Sequence, residues 1–285
     1  MSNRDFWRCL GTYCSYVGNT AKRSPLRAVP VRHAGQSVYE EIERVRDSAI
    51  TDNLVLVTIT GAMMLTAGLQ LLFGTPPGLL FGITVVLFLG SAAYIAPRIV
   101  KARRKVRNLM QGYDGERAVA EYLETLARDG VRVLHDVVGD GFNVDHVVVA
   151  PQGVFAIETK TISKPTVGDV KVLLDGERVR LGRFEPTRNP VVQAEAAARW
   201  VRQQLNEALD RSYSVRPVVF FPGWFVERTP GAKHTNTWVL EPKAFGGFLR
   251  NEPLTLSNTE VAEIVYFLKQ YIRKTPTKWS TKLRE

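Results

Sequence analysis

The stretch that decides the fold is NVDHVVVAPQGVFAIETK, residues 143–160. Apolar, valine-rich runs on either side of Ala-Pro-Gln-Gly predict two β-strands joined by a short loop. The residues that interrupt these runs are Asp145, His146, Glu158 and Lys160. Because charged side chains are rarely buried without a partner, two acids and a lysine inside a sheet require a physical explanation.

Strand pairing predicts which of these side chains meet. If Val149 pairs with Val154 in an antiparallel hairpin, Asp145 lies opposite Glu158, with β-carbons about 4.5–5.5 Å apart. Lys160 lies on the same face because side chains alternate with a period of two. Two facing carboxylates repel each other unless a cation lies between them, and Mg²⁺ takes one or two carboxylates with water and phosphate oxygens. We therefore predict a magnesium site, with the lysine acting on the attacking water or on phosphate charge.

A purely structural interpretation explains the same stretch. In it, Lys160 forms a salt bridge with Glu158 at a sheet end, and Asp145 only begins a strand. Two polar residues elsewhere favour the metal site. Glu116 lies on the apolar face of a predicted helix, and Gln193 lies on the apolar face of another, where a buried amide requires polar partners. We expect both to converge with the strand acids on one cation.

The region from residue 112 onward alternates helices and strands, which predicts an α/β domain with a mixed sheet. A short hairpin is predicted around Asp175-Gly176, and Asn189-Pro190 caps a helix. Ser257 and Glu260 form a capping box for the last helix. The predicted strands are 131–138, 143–149, 154–161, 170–174, 178–181, 215–226 and 237–240, and the predicted helices are 116–127, 190–209 and the one after residue 257.

Two uncharged stretches, residues 54–73 and 78–96, precede this domain. Each is long enough to cross a hydrocarbon core of about 30 Å, and residues 74–77 between them allow only a tight turn. Buried helices of a soluble protein are the alternative, but these rarely run so long without a charge. We predict a two-pass transmembrane α-hairpin in the cell membrane. Basic residues flank only its outer ends, which places both termini in the cytoplasm.

The net charge of +10 is concentrated beside this hairpin. Residues 98–107 hold six lysines and arginines and no acid, and we expect them to contact anionic lipid. Residues 112–285 carry only +2, so charge does not indicate a strongly basic nucleic-acid groove there. The predicted organisation is a cytoplasmic segment at 1–50, the hairpin at 51–97, a basic linker at 98–111 and the α/β domain at 112–285.

Three motifs in order, GYDGERAV at 112–119, the opening stretch at 143–160 and NPVVQA at 189–194, resemble the nuclease-related domain, NERD, of the PD-(D/E)XK nuclease superfamily. The resemblance covers roughly residues 112–226. It implies a restriction-endonuclease-like mixed sheet flanked by helices, with a metal-dependent nuclease core.

The resemblance also implies roles for individual residues. Asp145 and Glu158 would be ligands of Mg²⁺, or of Mn²⁺, and Lys160 would be catalytic. Glu116 would be a further ligand or would support the ligands, and Gln193 would position water or phosphate. The expected function is a membrane-anchored cytoplasmic nuclease that hydrolyses the phosphodiester bonds of DNA or RNA.

A non-catalytic module of the same fold, which binds nucleic acid or a protein at the membrane, is the alternative. The sequence does not distinguish DNA from RNA or specify an oligomeric state. Of the remaining polar and aromatic residues, His146 is predicted to point away from Asp145 and to be packed or solvated. Trp224 is predicted to lie in the core, and His135 to orient a neighbouring group.

Overall fold

The computed structural model of the protein describes residues 31–74, 78–164, 171–182 and 184–275. Residues 1–30 and positions 75–77 of the predicted turn lie outside this range. The helices are α1 (Gln36–Leu72), α2 (Leu79–Thr125), α3 (Pro190–Leu209), α4 (Phe245–Arg250) and α5 (Asn258–Lys274). The strands are β1 (Arg132–Val138), β2 (Asn143–Ala150), β3 (Gly153–Thr159), β4 (Lys171–Asp175), β5 (Arg178–Leu181), β6 (Val215–Phe220), β7 (Phe225–Arg228) and β8 (Trp238–Leu240).

The main sheet has five strands in the order β1-β2-β3-β6-β8. Strands β1, β2 and β3 pair antiparallel, whereas β3, β6 and β8 run parallel, so the sheet is mixed. Helices α3 and α5 cover one face, while the end of α2 and helix α4 cover the other. The predicted α/β class with a mixed sheet between helices is confirmed.

The hairpin that decides the fold has the predicted register. Val149 pairs with Val154, and the ladder continues to His146 opposite Ile157. From Val147 to Ala150 the buried side chains of β2 alternate between the two faces of the sheet, with Val147 on the α3–α5 side and Val148 on the α2–α4 side. This alternation fixes the register, because a slip of one residue would turn every side chain to the wrong face.

Helices α1 and α2 pack against each other as a long antiparallel pair. By length and composition, both are apolar enough to cross a membrane. Their apolar stretches expose large side chains, with Leu72 and Leu79 more than 80% accessible. Soluble proteins rarely expose so much apolar surface, so the pair does not have the burial expected of core helices.

Helix α2 is longer than predicted. It continues from the apolar stretch through the basic residues 98–111 to Thr125, so the helix predicted to begin at Glu116 is its last part. Lysine, arginine and alanine favour helix, and Pro97 lies inside the helix without ending it. Packing of Val119 and Leu123 against the sheet stabilises this last part.

The strand predicted at 215–226 is two strands in two different sheets. Strand β6 ends at Phe220, and β7 pairs with β4 in a smaller sheet of order β5-β4-β7. Pro222 lies between them and has no N–H with which to continue the ladder. A mostly apolar stretch of sequence therefore contains a change of sheet at Pro222.

Candidate active site

Three acids occupy neighbouring positions across the main sheet. The register of β2 and β3, extended by one pair beyond His146 and Ile157, places Asp145 beside Glu158. In β1 and β2, the pairs His135–His146 and Val137–Val144 flank Asp136 and Asp145. We call Asp136, Asp145 and Glu158 the acid row.

Asp136 was not predicted as a site residue. It is buried, with 2% of its surface accessible, and its backbone has φ = 50°, which departs from the extended conformation of its strand. The pairing rule that places Asp145 opposite Glu158 would have revealed it, had β1 been aligned with β2 in the same way. The sequence pattern that identifies Asp136 is the pairing of β1 with β2, in addition to that of β2 with β3.

Glu116 reaches the acid row from helix α2. Its side chain is buried, at 8% accessible surface, as its predicted position on the apolar face requires. It lies about 30 Å along the helix beyond Ala96, the end of the predicted transmembrane stretch. The preceding glycine makes the close approach possible, because a Cβ on Gly115 would lie 1.7 Å from the Oγ1 atom of Thr161. Because Gly115 has no side chain, helix α2 packs closely against Thr161, in the segment that follows β3.

Burial and mutual repulsion dominate the electrostatics of this group. Desolvation raises the pKa of Glu116 to about 8, and the negative charges of Asp136 and Glu158 add to the shift. Desolvation also raises the pKa of Asp145 well above its ordinary value, with further contributions from Glu158 and Glu116. Lys160 opposes both shifts. The carboxyl groups therefore lie close enough together to disfavour one another's ionisation.

Lys160 lies beside Glu158, as both interpretations of the sequence require. Its Nζ atom donates to the Oε1 atom of Glu158 at 2.5 Å, so the salt bridge of the structural interpretation is present. That interpretation leaves the other acids unexplained, since Asp145 does more than begin a strand. Its Oδ2 atom accepts a hydrogen bond of 2.7 Å from the backbone N–H of Thr159.

Gln193 lies in the first turns of α3, the helix that packs on β3 and β6. Its Oε1 atom is buried and accepts no hydrogen bond from any described residue. Within the described part of the chain, no hydrogen bond joins it to the acid row or to Lys160. A buried amide oxygen without a donor is uncommon in native proteins, and it can accept a hydrogen bond from a ligand or a water.

His135 and His146 pair with each other across β1 and β2, and each is the sequence neighbour of an acid in the acid row. Their Nδ1 atoms are 2.9 Å apart, and the Nε2 atom of His135 is 3.3 Å from the Oε1 atom of Glu124. Burial lowers the pKa of both imidazoles. His146 was predicted to be either packed or solvated, and the structure shows that it is packed, because it is fully buried. Trp224 is also in the core, at 2% accessible surface.

The described residues contain no group of three or more histidine, cysteine or acidic side chains already arranged to hold a metal ion. The donor set is nonetheless suited to Mg²⁺, which needs hard oxygen ligands and takes only one or two carboxylates, with water or phosphate completing its shell. Burial raises the pKa of Asp145, and the negative charges of Glu158 and Glu116 add to the rise; a divalent cation would offset that repulsion. Asp145, Glu158 and Glu116 are the residues that would hold it.

Comparison with known families agrees with the sequence motifs. Residues 111–222 match the family model described as nuclease-related domain, NERD. No match was found among curated proteins or among solved structures. The matched range includes the acid row, Glu116, Lys160 and Gln193. The part of this chain that carries the candidate site is therefore similar to the nuclease-related domain.

Proposed function

We propose that the protein is a membrane-anchored nuclease, dependent on Mg²⁺ or Mn²⁺, that hydrolyses phosphodiester bonds of DNA or RNA. The observation that carries this proposal is the group of Glu116, Asp145, Glu158 and Lys160 at one end of a sheet, inside a nuclease-related domain. Acids that repel each other at a cost in stability are expected where a cation and a phosphate bind.

The roles follow from the chemistry of each side chain. Asp145 and Glu158 would hold the metal ion, and Glu116 would be a third ligand or would support the other two. When bound, the ion would supply positive charge to a phosphate oxygen and lower the pKa of a coordinated water. Lys160, whose ammonium already lies against Glu158, would donate to the attacking water or to a phosphate oxygen. Gln193 would use its free buried oxygen to orient that water.

The parallel strands suggest where the substrate continues beyond the site. Strands β3, β6 and β8 end at the same edge of the sheet, and a groove of about 640 Å³ lies there beyond β6 and β8. Arg228, Lys243 and the exposed ring of Phe225 line it, together with one acid, Glu241. Cations suit phosphates and an exposed ring suits a base, so a nucleic-acid strand cleaved at the acid row would run through this groove.

The two long helices would anchor this domain to the cell membrane. Basic residues flank the outer ends of the apolar stretches, and under the positive-inside rule both termini and the nuclease-related domain face the cytoplasm. Residues 98–107 would then contact anionic headgroups. The Nζ atom of Lys105 lies 2.6 Å from an oxygen of Glu41 on α1, so part of this basic charge is balanced between the helices.

The decisive experiment is a cleavage assay on the full-length protein in detergent, with single- and double-stranded DNA and RNA, with and without Mg²⁺. We expect cleavage only with the metal. Lys160→Ala should reduce turnover while the metal still raises the melting temperature. Lys171→Ala is the matched control, because Lys171 forms an exposed ion pair of 3.0 Å with Glu227 in the small sheet. Its turnover should equal that of the wild type.

Two other outcomes favour the alternatives. Binding of nucleic acid without cleavage under any metal condition identifies a binding module tethered to the membrane. A large loss of stability in Lys160→Ala, together with no effect of Mg²⁺ on the melting temperature, identifies the purely structural salt bridge.

A further inference from the structure

We propose that residues 31–37, which precede the first long helix, are a positioning element of the candidate active site, with Arg32 holding Asp136 and Gly35 holding Glu116. We call these residues the docking segment. The proposal rests on the proposed nuclease function and adds to it. The site would be complete only in a chain that carries this segment, although the segment lies outside the range that matches the nuclease-related domain.

The first contact is a buried ion pair across a long separation in sequence. The Nε atom of Arg32 donates to the Oδ2 atom of Asp136 at 2.7 Å, and its Nη2 atom lies against the same oxygen. Both side chains are buried, at 8% and 2% accessible surface. The backbone N–H and the hydroxyl of Ser37 also donate to that oxygen, at 2.9 and 3.0 Å. The docking segment therefore supplies all the donors that the described residues offer to this oxygen.

The second contact holds Glu116. The backbone of Gly35 lies beside the Glu116 carboxylate: a Cβ added there would lie 3.6 Å from the Oε2 atom, and the Gly35 backbone opposes the rise in the pKa of Glu116. Gly35 caps the N-terminus of α1 in a left-handed conformation, with φ = 72°. A Cβ at this position would lie 2.6 Å from the Cδ2 atom of Tyr113. Glycine is thus required both by the backbone conformation and by the space, and the close fit against Tyr113 determines where the Gly35 backbone lies beside the carboxylate.

These contacts act on Glu116, which is one of the predicted metal ligands, and on Asp136, which lies beside another. Asp136 is the neighbour of Asp145 in the acid row, and Glu116 reaches the row from α2. Val31 packs on the core beneath, so the segment is anchored on both sides of Arg32. Hydrogen bonds from surrounding groups orient metal ligands, and their loss typically weakens metal binding about 10- to 100-fold. This is the role that the geometry assigns to the docking segment.

The test uses the full-length protein and two different changes. Arg32→Met combined with Asp136→Asn removes both charges of the pair at once, so the net charge beside the site does not change. Gly35→Ala leaves the ion pair intact and disturbs the backbone that holds Glu116. The matched control is Lys171→Met combined with Glu227→Gln, because Lys171 and Glu227 form an exposed ion pair of 3.0 Å in the small sheet.

The measurement is the Mn²⁺ or Mg²⁺ concentration that gives half of the maximal rise in melting temperature, followed by turnover at saturating metal. Both test variants should raise the half-saturating concentration about tenfold, and the control should leave it within about twofold. Saturating metal should restore much of the turnover, which a general loss of folding would not allow.

The proposal is overturned if both test variants bind metal as the wild type does. It is also overturned if only the double variant is weakened, because Asp136 would then act by itself and not through the segment. If the double variant does not fold, Ser37→Ala removes one donor to Asp136 and should give a smaller shift in the same direction. A wild-type protein that shows neither a metal-induced shift nor cleavage refutes the nuclease function itself, a pattern distinct from all of these.

Discussion

The two ends of the β2–β3 hairpin differ in what they contribute to the protein. At the turn, Val149 and Val154 are buried and apolar, and the carbonyl of Pro151 accepts hydrogen bonds from the backbone N–H groups of Thr255 and Leu256. At the open end, Asp145 and Glu158 lie side by side, and burial disfavours the ionisation of Asp145. One end removes apolar surface from water and stabilises the fold, whereas the other concentrates charge and costs stability.

This difference separates an end that stabilises the fold from the end at which we propose the active site. A fold selected for stability alone would place apolar residues at both ends, since replacing buried charges by packed apolar side chains is often neutral or stabilising. The buried, mutually repelling acids at the open end are the reason for proposing a cation site there. If this contrast is correct, a change at the open end should affect metal binding, and a change at the apolar end should affect stability.

The largest effect is expected from Asp145→Asn. It should lower cleavage about a thousandfold, which corresponds to about 4 kcal/mol of transition-state stabilisation, and it should abolish the metal-induced rise in melting temperature. The metal-free protein should be as stable as the wild type or slightly more stable, because a repulsion is removed. Calorimetric melts and cleavage rates measure both effects, with the exposed Asp140→Asn as control. A clear loss of metal-free stability would contradict the contrast.

At the apolar end of the same hairpin, Phe155→Ala should lower stability without changing metal binding. Phe155 is 2% accessible and contacts Phe245 edge to face at 5.5 Å between centroids. Its truncation should lower the free energy of unfolding by about 3–5 kcal/mol. The half-saturating metal concentration of the remaining folded protein should not change. Denaturant unfolding and a metal titration are the measurements, and a large change in metal affinity would show that the two ends are not independent.

The pH dependence of stability should separate the acids from the histidines. Because the pKa of Glu116 is raised to about 8 in the folded state, the folded protein holds more protons than the unfolded chain between about pH 4.5 and 8. The acids therefore lower the stability of the metal-free protein as pH rises through this window. The histidines, whose pKa values are lowered, act in the other direction, but only below about pH 6.5, where the unfolded imidazoles are charged.

Between about pH 6.5 and 8 the acids alone should set the slope. Glu116→Gln should flatten it, and saturating Mg²⁺ should flatten it in the wild type. Thermal melts across this range measure the effect. A stability that increases with pH in this window would contradict the account of the acidic end.

The smallest effect is expected in the groove beyond β6 and β8. Lys243→Ala should weaken the binding of a nucleic-acid strand and lower the slope of log affinity against log salt by about one counterion. Its effect on thermal stability should lie within about 0.5 kcal/mol, because it is a surface substitution. Binding titrations at several salt concentrations measure it. An unchanged salt slope would place the substrate on another surface.

Much of the fold could be read from local patterns. The register of residues 143–160 followed from alternation around one short loop, and it holds in the structure. Asn189 caps α3, and Ser257 with Glu260 forms the capping box of α5, as predicted. These features depend on residues within a few positions of each other, where spacing alone specifies which groups meet.

The helix and strand boundaries that were predicted wrongly depend on packing against elements that are distant in the sequence. Helix α2 continues through the basic residues because its last part packs on the sheet. Strand β7 leaves the main sheet because β4, about fifty residues earlier, offers it an edge. Apolar runs in the sequence indicate burial, but they do not say against which element a segment is buried.

The sequence by itself determined the helical pair, the hairpin register and the positions of Glu116, Asp145, Glu158 and Lys160 on their helix and strands, because each depends on a short-range period. Only the tertiary structure brought Asp136 into the acid row and Arg32 onto it, across a separation of 104 residues. That contact joins the chain before the long helices to the domain after them. No periodicity encodes it, because an ion pair between distant segments forms only where packing has already brought their backbones together.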